Sequence, residues 1–359
     1  MTGGPDGDVG GNEVKILIRE YGENVKVVGV ADHSGCAEDP DGLNHDELLR
    51  LFNENLCISH FSESALHANG VLHKVDTEDG VKARNSMHNR LEADAFLPCG
   101  GRPNTINGSN YAQFLKDDGS PTARLIVEGA NLFVTSEARK ALFDIAGVAI
   151  VKDSSANKCG VITSSYEICA AMLLTEEEFF DNKEQIVGEV LGKLRDLAKM
   201  EATLLFREFD EDHDGASLPE VSQSISNCIN TTTDALAAAL DHLSEHDRES
   251  LLPLFRAHLP KTMADIAFDR INDNVPDQYV KNAIASCLAS KLIYKEGTKY
   301  INSLPPKKLV SIALKYVEKE KEVAALVETL EATAMPEEEK EKILDILNVG
   351  GTRTALQLP

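Results

Sequence analysis

Apolar residues in the first half of the chain fall into short, nearly unbroken runs separated by stretches with a helical period. Runs at 25–32 (VKVVGVAD), 95–101 (AFLPCGG), 123–129 (ARLIVEG) and 148–153 (VAIVKD), with a weaker one at 71–76, predict strands. They are apolar almost throughout, as strands are when helices cover both faces of a sheet. Helical spacing at 12–21, 44–55, 107–115 and 136–146 fills the gaps. The alternation predicts an α/β fold built on a doubly wound, Rossmann-like parallel sheet.

Strand signals stop near residue 163. Segments 163–174, 176–209, 218–243, 247–259, 263–272, 276–294, 306–330 and 336–347 all read as helices. Pro276, Pro306 and Pro336 fall in first turns, where a missing N–H costs nothing. An all-helical C-terminal region therefore follows the sheet. The expected divisions are 1–170 for the sheet domain, 171–215 for connecting helices and 216–359 for the helical region.

Charge narrows the choice of partner. A net charge of −23 over 359 residues repels nucleic-acid backbones and anionic membranes, so neither is expected to bind. No apolar run approaches the ~18–20 residues that span a bilayer. The first residues, MTGGPDGDVGG, resemble neither a secretory signal nor an Arg-rich mitochondrial presequence. Seven cysteines with no CxxC pair suit a reducing compartment, mitochondrial or cytoplasmic, better than a disulfide scaffold. Scattered histidines without HExxH give metal catalysis no support, so no metal is expected. Residues 210–221 (DEDHDGASLPEV) imitate a calcium loop, but the last position is Val221 where a bidentate Glu is needed.

Four strings carry candidate chemistry. The first, TGGPDGDVGG, precedes a helix and then the strand ending at Asp32. Gly4, Gly7 and Gly10 permit a tight turn with backbone N–H groups near a pyrophosphate, at the positive end of the helix. Asp32 follows Gly10 by 22 residues, where a carboxylate accepts hydrogen bonds from adenosine ribose hydroxyls and repels the extra phosphate of NADP. The spacing is GxxGxxG and not GxGxxG, and Asp6 and Asp8 add like charge; at ~6 Å they would repel by roughly 3 kcal/mol at an effective dielectric of ~20. A plain surface Gly/Asp loop stays an alternative here. A Rossmann unit also needs a strand before this loop, and only Met1 and Thr2 stand there, so the sheet is expected to lack its first strand.

The second string, LPCGGRPNTIN, brings Cys99, Gly100 and Arg102 to a strand's carboxyl end. The third and fourth, VEGAN and DSSANKCGVITSSYE, bring Asn131 and Asn157, whose amides can bind a carboxamide such as that of nicotinamide. Ser164 is expected to open the helix that follows. Taken singly, each asparagine reads equally as a loop or cap residue. Taken together, three strand ends so furnished point to a ligand site.

The run from DAFLPCGGRPNTIN through RLIVEGANLFVTSEARKALFDIAGVAIVKDSSANKCGVITSSYEI resembles the C-terminal segment of the glutamate/leucine/phenylalanine/valine dehydrogenases. TGGPDGDVGGNEVK, VVGVADHSG and DPDGL are similar to the large NAD-dependent glutamate dehydrogenases among them. The resemblance covers about residues 1–210. It implies NAD as cofactor, with Gly4, Gly7 and Gly10 at the pyrophosphate, Asp32 by the adenosine ribose, Cys99 and Gly100 along the cofactor, and Asn131 and Asn157 near nicotinamide. It further implies that Ser164 contacts the distal carboxylate of L-glutamate or 2-oxoglutarate, and that the full-length enzyme is a homo-oligomer. The family's catalytic lysines and aspartate belong to a domain that no segment here matches, so no catalytic residue is expected in this chain and it should be inactive alone. A non-catalytic NAD-binding or assembly module, or a related amino-acid dehydrogenase, are the other readings.

Overall fold

The structure, a computed structural model, describes residues 1–211, 215–241, 245–347 and 350. The chain divides into two compact units, Met1–Lys158 with Ser217–Pro219, and Cys159–Ala216 with Glu220–Pro359.

In the first unit, helix α1 (Asp8–Tyr21) leads to β1 (Gly29–Ala31) and β2 (Gly35–Glu38), followed by α2 (His45–Glu54), β3 (Val71–Lys74) and α3 (Glu78–Ser86). Next come β4 (Ala93–Phe96), β5 (Ala123–Val127), α4 (Ser136–Ala146), β6 (Ala149–Val151) and the short α5 (Asp153–Ala156). Strands β4, β5 and β6 pair in parallel, Phe96 opposite Ile126 and Ile126 opposite Ile150. That half is the sheet the apolar runs predict. The other half differs: β1, β2 and β3 pair antiparallel, Val30 opposite Ala37 and Ala37 opposite Leu72. The 71–76 run thus belongs to an antiparallel meander.

Thr2 joins the two halves. It forms parallel bridges to Ala31 on one side and Pro98 on the other. Thr2 N donates to Leu97 O (3.1 Å), Cys99 N to Thr2 O (2.8 Å), and Ala31 N to Met1 O (3.1 Å). Two residues therefore occupy the carboxyl end of the central strand position.

Capping explains where several helices begin and end. Asn44 Oδ1 accepts the Glu47 N–H (2.9 Å) and starts α2, which buries Leu48 and Leu51. Thr135 accepts from Ala138 N and Gly147, at φ +64°, ends α4 at the predicted residues. The helix expected at 107–115 does not form; only a 3₁₀ turn, Tyr111–Phe114, is present. Asn110 Oδ1 takes the Asn107 N–H (2.8 Å) and Asn107 Oδ1 takes the Ser109 N–H (2.9 Å), so side chains replace the helical ladder.

The second unit is helical: α6 (Cys159–Leu173), α7 (Glu176–Glu211), α8 (Leu218–Leu240), α9 (Glu245–His258), α10 (Lys261–Ala267), α11 (Ile271–Asn274), α12 (Asp277–Glu296), α13 (Thr298–Ser303), α14 (Pro306–Glu331) and α15 (Glu337–Ile346). Helices α6, α10 and α12 pack on α7, which buries Ile186, Val190, Leu204 and Leu205. Polar ties fix their ends: Arg270 grips Glu178 through two bonds of 2.8 and 2.7 Å, and Glu189 caps α10 at Thr262 N (2.8 Å). Pro276 and Pro336 are N-caps and Pro306 is the first residue of α14. Of the calcium-like string, Asp212, His213 and Asp214 lie outside the described residues, and Val221 is buried in α8. No described helix is long and apolar enough to cross a membrane. All seven cysteines are free thiols.

Candidate functional site

The residues that end the central strand also build a cleft of about 630 Å3 in the first unit. Its walls are the glycine loop from Gly3 to Gly7, the Ala31–His33 end of β1, the loop from Gly100 to Thr105, and Arg84, His88 and Phe133.

The glycine loop is fixed by backbone contact. Gly3 N donates to Ala31 O (2.8 Å) and Thr2 Oγ1 to Gly100 O (2.5 Å). Gly3 sits at φ +93°, and a Cβ there would lie 2.9 Å from the Cys99 carbonyl carbon and the Gly100 nitrogen. No side chain fits at that approach. A Cβ on Gly10 would collide with the Gly3 backbone, so glycine lets α1 pack directly onto the loop. On Gly4 it would run into the Asp32 carboxylate. Gly7, the N-cap of α1, is freer, with Gly4 O at 3.3 Å as its closest neighbour. Steric need thus falls on Gly3, Gly4 and Gly10. Gly3 was not among the expected site residues, although its place directly after the strand position marks it.

Asp32 is held in place by its own loops. Its Oδ1 accepts from Ser34 N (2.7 Å) and Ser34 Oγ (2.6 Å), and Oδ2 from Ile58 N (2.7 Å). A carboxylate offers roughly four acceptor positions, so one is left for a ligand hydroxyl. Of the two acidic residues of the loop, Asp6 lines the cleft with its Oδ2 4.0 Å from His33 Nδ1, and Asp8 is exposed in the first turn of α1, where negative charge is favoured. Cys57 brings its thiol near Asp6 and His33, and these three possible ligand atoms lie within 4.8 Å of one another.

Arg84 and His88 enter the site unannounced by the sequence. Arg84 Nη1 donates to the Asp32 carbonyl (3.2 Å), while its Nε is buried with no hydrogen-bond partner. His88 stacks on Phe96 at 5.4 Å, and burial pushes its pKa down to about 4, so the ring is neutral at pH 7. The Cys99 thiol faces the core, and burial raises its pKa to about 12, which makes it a poor nucleophile. Cys99 and Gly100 therefore contribute backbone.

Further along the sheet edge the two asparagines meet. Asn157 Nδ2 donates to Asn131 Oδ1 (2.6 Å) and to Gly129 O (3.1 Å). Ala130 N donates to Pro98 O (2.7 Å), tying this loop to the one bearing Cys99. Beneath it Glu128, fully buried, accepts from Val134 N (2.9 Å) and from Arg139 Nε (2.8 Å), and Arg139 also reaches Asp153 at 3.4 Å. Ser164 belongs to the second unit. It is exposed on α6 and donates to Gly160 O (3.3 Å), and since α6 begins at Cys159 the serine does not open the helix.

Residues 1–208 match the family model described as glutamate/leucine/phenylalanine/valine dehydrogenase. The chain is 36% identical to the probable NAD-specific glutamate dehydrogenase of Schizosaccharomyces pombe, over 82% of this chain and 28% of that protein. It is 35% identical to glutamate dehydrogenase 2 of Dictyostelium discoideum, over 83% of this chain and 30% of that protein. With the NAD-specific glutamate dehydrogenase of Saccharomyces cerevisiae the identity is 33%, over 83% and 29%. The chain thus spans less than a third of the length of these relatives. With more than half of its residues matched by that model, the chain belongs to the glutamate/leucine/phenylalanine/valine dehydrogenase family.

Proposed function

We propose that the first unit binds NAD and that the whole protein oxidatively deaminates L-glutamate to 2-oxoglutarate and ammonia. The observation that carries this reading is the cleft, where a glycine loop with no room for a side chain at Gly3, Gly4 or Gly10 meets a fixed carboxylate at a strand end. The residues fit the cofactor. The first N–H groups of α1 and the Gly3–Gly4 backbone would take the pyrophosphate, the remaining Asp32 acceptor a ribose hydroxyl, and Asn131 and Asn157 the carboxamide. When bound, the cofactor supplies the hydride acceptor; this chain's part is to hold and orient it. The names of the relatives, NAD-specific for the yeast proteins, support NAD over NADP and glutamate over other amino acids. Ser164 is assigned to the distal carboxylate of glutamate on resemblance alone.

The described residues lining the cleft include no lysine. Acid–base catalysis is accordingly assigned to parts of the protein beyond these 359 residues, and the chain by itself should form no NADH from glutamate and NAD. Self-association is also part of this reading, because Phe180 (60% exposed), Val187 and Leu191 (58%) make one apolar face of α7.

Asp32→Ser tests the nucleotide assignment. Without the carboxylate, repulsion of the 2′-phosphate disappears, and the preference for NADH over NADPH should shrink by about tenfold, or ~1.4 kcal/mol. Fluorescence titration with both nucleotides measures it, and an unchanged preference would remove Asp32 from the ribose site.

A further inference from the structure

Three side chains from separate loops of the first unit converge beside Asp32: Asp6, His33 and Cys57. We propose that they form a site for one zinc-class divalent cation, with water in the fourth position.

The backbone around Asp32 brings them together. Asp6 belongs to the glycine loop, which Gly3 N ties to Ala31 O (2.8 Å) and Gly7 N closes onto Gly4 O (3.0 Å). His33 follows Asp32 in the turn after β1, where Asp32 N donates to Gly35 O (2.9 Å). Cys57 is the N-cap of the 3₁₀ turn Ile58–His60. That turn is bound to the end of β1 twice: Ile58 N donates to Asp32 Oδ2 (2.7 Å), and Ser59 N to Ser34 Oγ (3.1 Å). The three residues are far apart along the chain, so no ligand spacing marks them in the sequence.

The distances suit a small ion. One ligand atom from each residue lies within 4.8 Å of the other two, and Asp6 Oδ2 is 4.0 Å from His33 Nδ1. Bonds of ~2.0 Å to nitrogen or oxygen and ~2.3 Å to sulfur put the ligand atoms of tetrahedral zinc roughly 3.3–3.5 Å apart. Side-chain rotation covers the difference, and the His33 side chain is 74% exposed and has room to turn.

The donor set selects the metal. A thiolate, an imidazole and a single carboxylate suit zinc, whereas calcium and magnesium take six or more oxygens. On binding, the Cys57 thiol gives its proton to solvent and its sulfur bonds the ion. The thiolate and the Asp6 carboxylate then balance the charge of the cation. Ser59 Oγ and His60 Nδ1, each 3.3 Å from the Cys57 sulfur, are placed to donate to that thiolate and orient it.

The test is a titration of the metal-free chain with Co2+, without nucleotide, so that its outcome is independent of cofactor binding. A single equivalent should bring up a sulfur-to-cobalt charge-transfer band together with the visible bands of tetrahedral cobalt, and Zn2+ should bleach both. Cys57→Ser should abolish the charge-transfer band. His33→Ala, at an exposed position whose replacement spares the core, should weaken Co2+ binding by about tenfold or more, and Asp6→Asn likewise. No charge-transfer band from the folded chain, or a band and affinity that either Cys57→Ser or His33→Ala leaves unchanged, would overturn the proposal.

Discussion

Arg139→Leu should destabilise the first unit by about 3–5 kcal/mol, the usual consequence of leaving a buried charge without its partner. Glu128 has no exposed surface, and Arg139 pairs with it at 2.7 Å. Burial already raises the Glu128 pKa, and the Arg139 charge counters that rise. Removing the guanidinium pushes the pKa further up. The loss should therefore shrink at lower pH, where Glu128 takes a proton, and shrink also in the double variant Glu128→Gln, Arg139→Leu. Urea denaturation at pH 7 and pH 5 measures both effects. The consequence for the site is local, because this pair and Asp153, which accepts the Leu132 N–H at 2.9 Å, hold the loop bearing Asn131.

The second large effect comes from His88. Its pKa falls from the ordinary 6.5 to about 4 because burial disfavours the imidazolium, and the Met1 ammonium and Arg90 add to the repulsion. A depressed pKa means that the unfolded chain takes up a proton first. Stability from His88 is thus intact above pH ~6.5 and is lost as pH falls from there towards 4, by about 2 kcal/mol at pH 5. His88→Phe keeps the stack on Phe96 and removes the proton site. It should flatten the decline in stability of the first unit between pH 7 and pH 5, as read by urea titration. A decline of unchanged slope in His88→Phe would assign it to other groups.

Much of the first unit is legible in the sequence because its local signals agree. Strands β4, β5 and β6 are apolar runs, and α4 carries both a Thr cap and a terminal glycine. What the sequence hides depends on partners distant along the chain. β2 is Gly-Cys-Ala-Glu, with no β-branched residue to mark it, and it is a strand because it lies between β1 and β3. Helix α3 buries only Gly80 and shows little apolar period, so Arg84, which it carries to Asp32, was invisible. The converse failure is 107–115, whose composition suits a helix while Asn107 and Asn110 bond the backbone into turns.

The candidate site divides along the same line. Gly4, Gly10 and Asp32 follow from spacing, since a strand, a tight loop and a helix leave few places for them. The meeting of Asn131 with Asn157 follows from parallel neighbours ending at one edge. The role of Phe133 does not: Gly101, at φ +137°, admits no Cβ because the Phe133 ring fills that space.

The most direct measurement is a fluorescence titration of the folded chain with NADH, alongside Gly4→Val. The side chain at position 4 would enter the cleft and displace the Asp32 carboxylate. The account predicts saturable binding by the wild-type chain and a loss of roughly a hundredfold or more, about 3 kcal/mol, in a Gly4→Val variant that keeps its helical content. Equal binding by both chains, or none by a folded wild-type chain, would contradict a nucleotide site in this cleft.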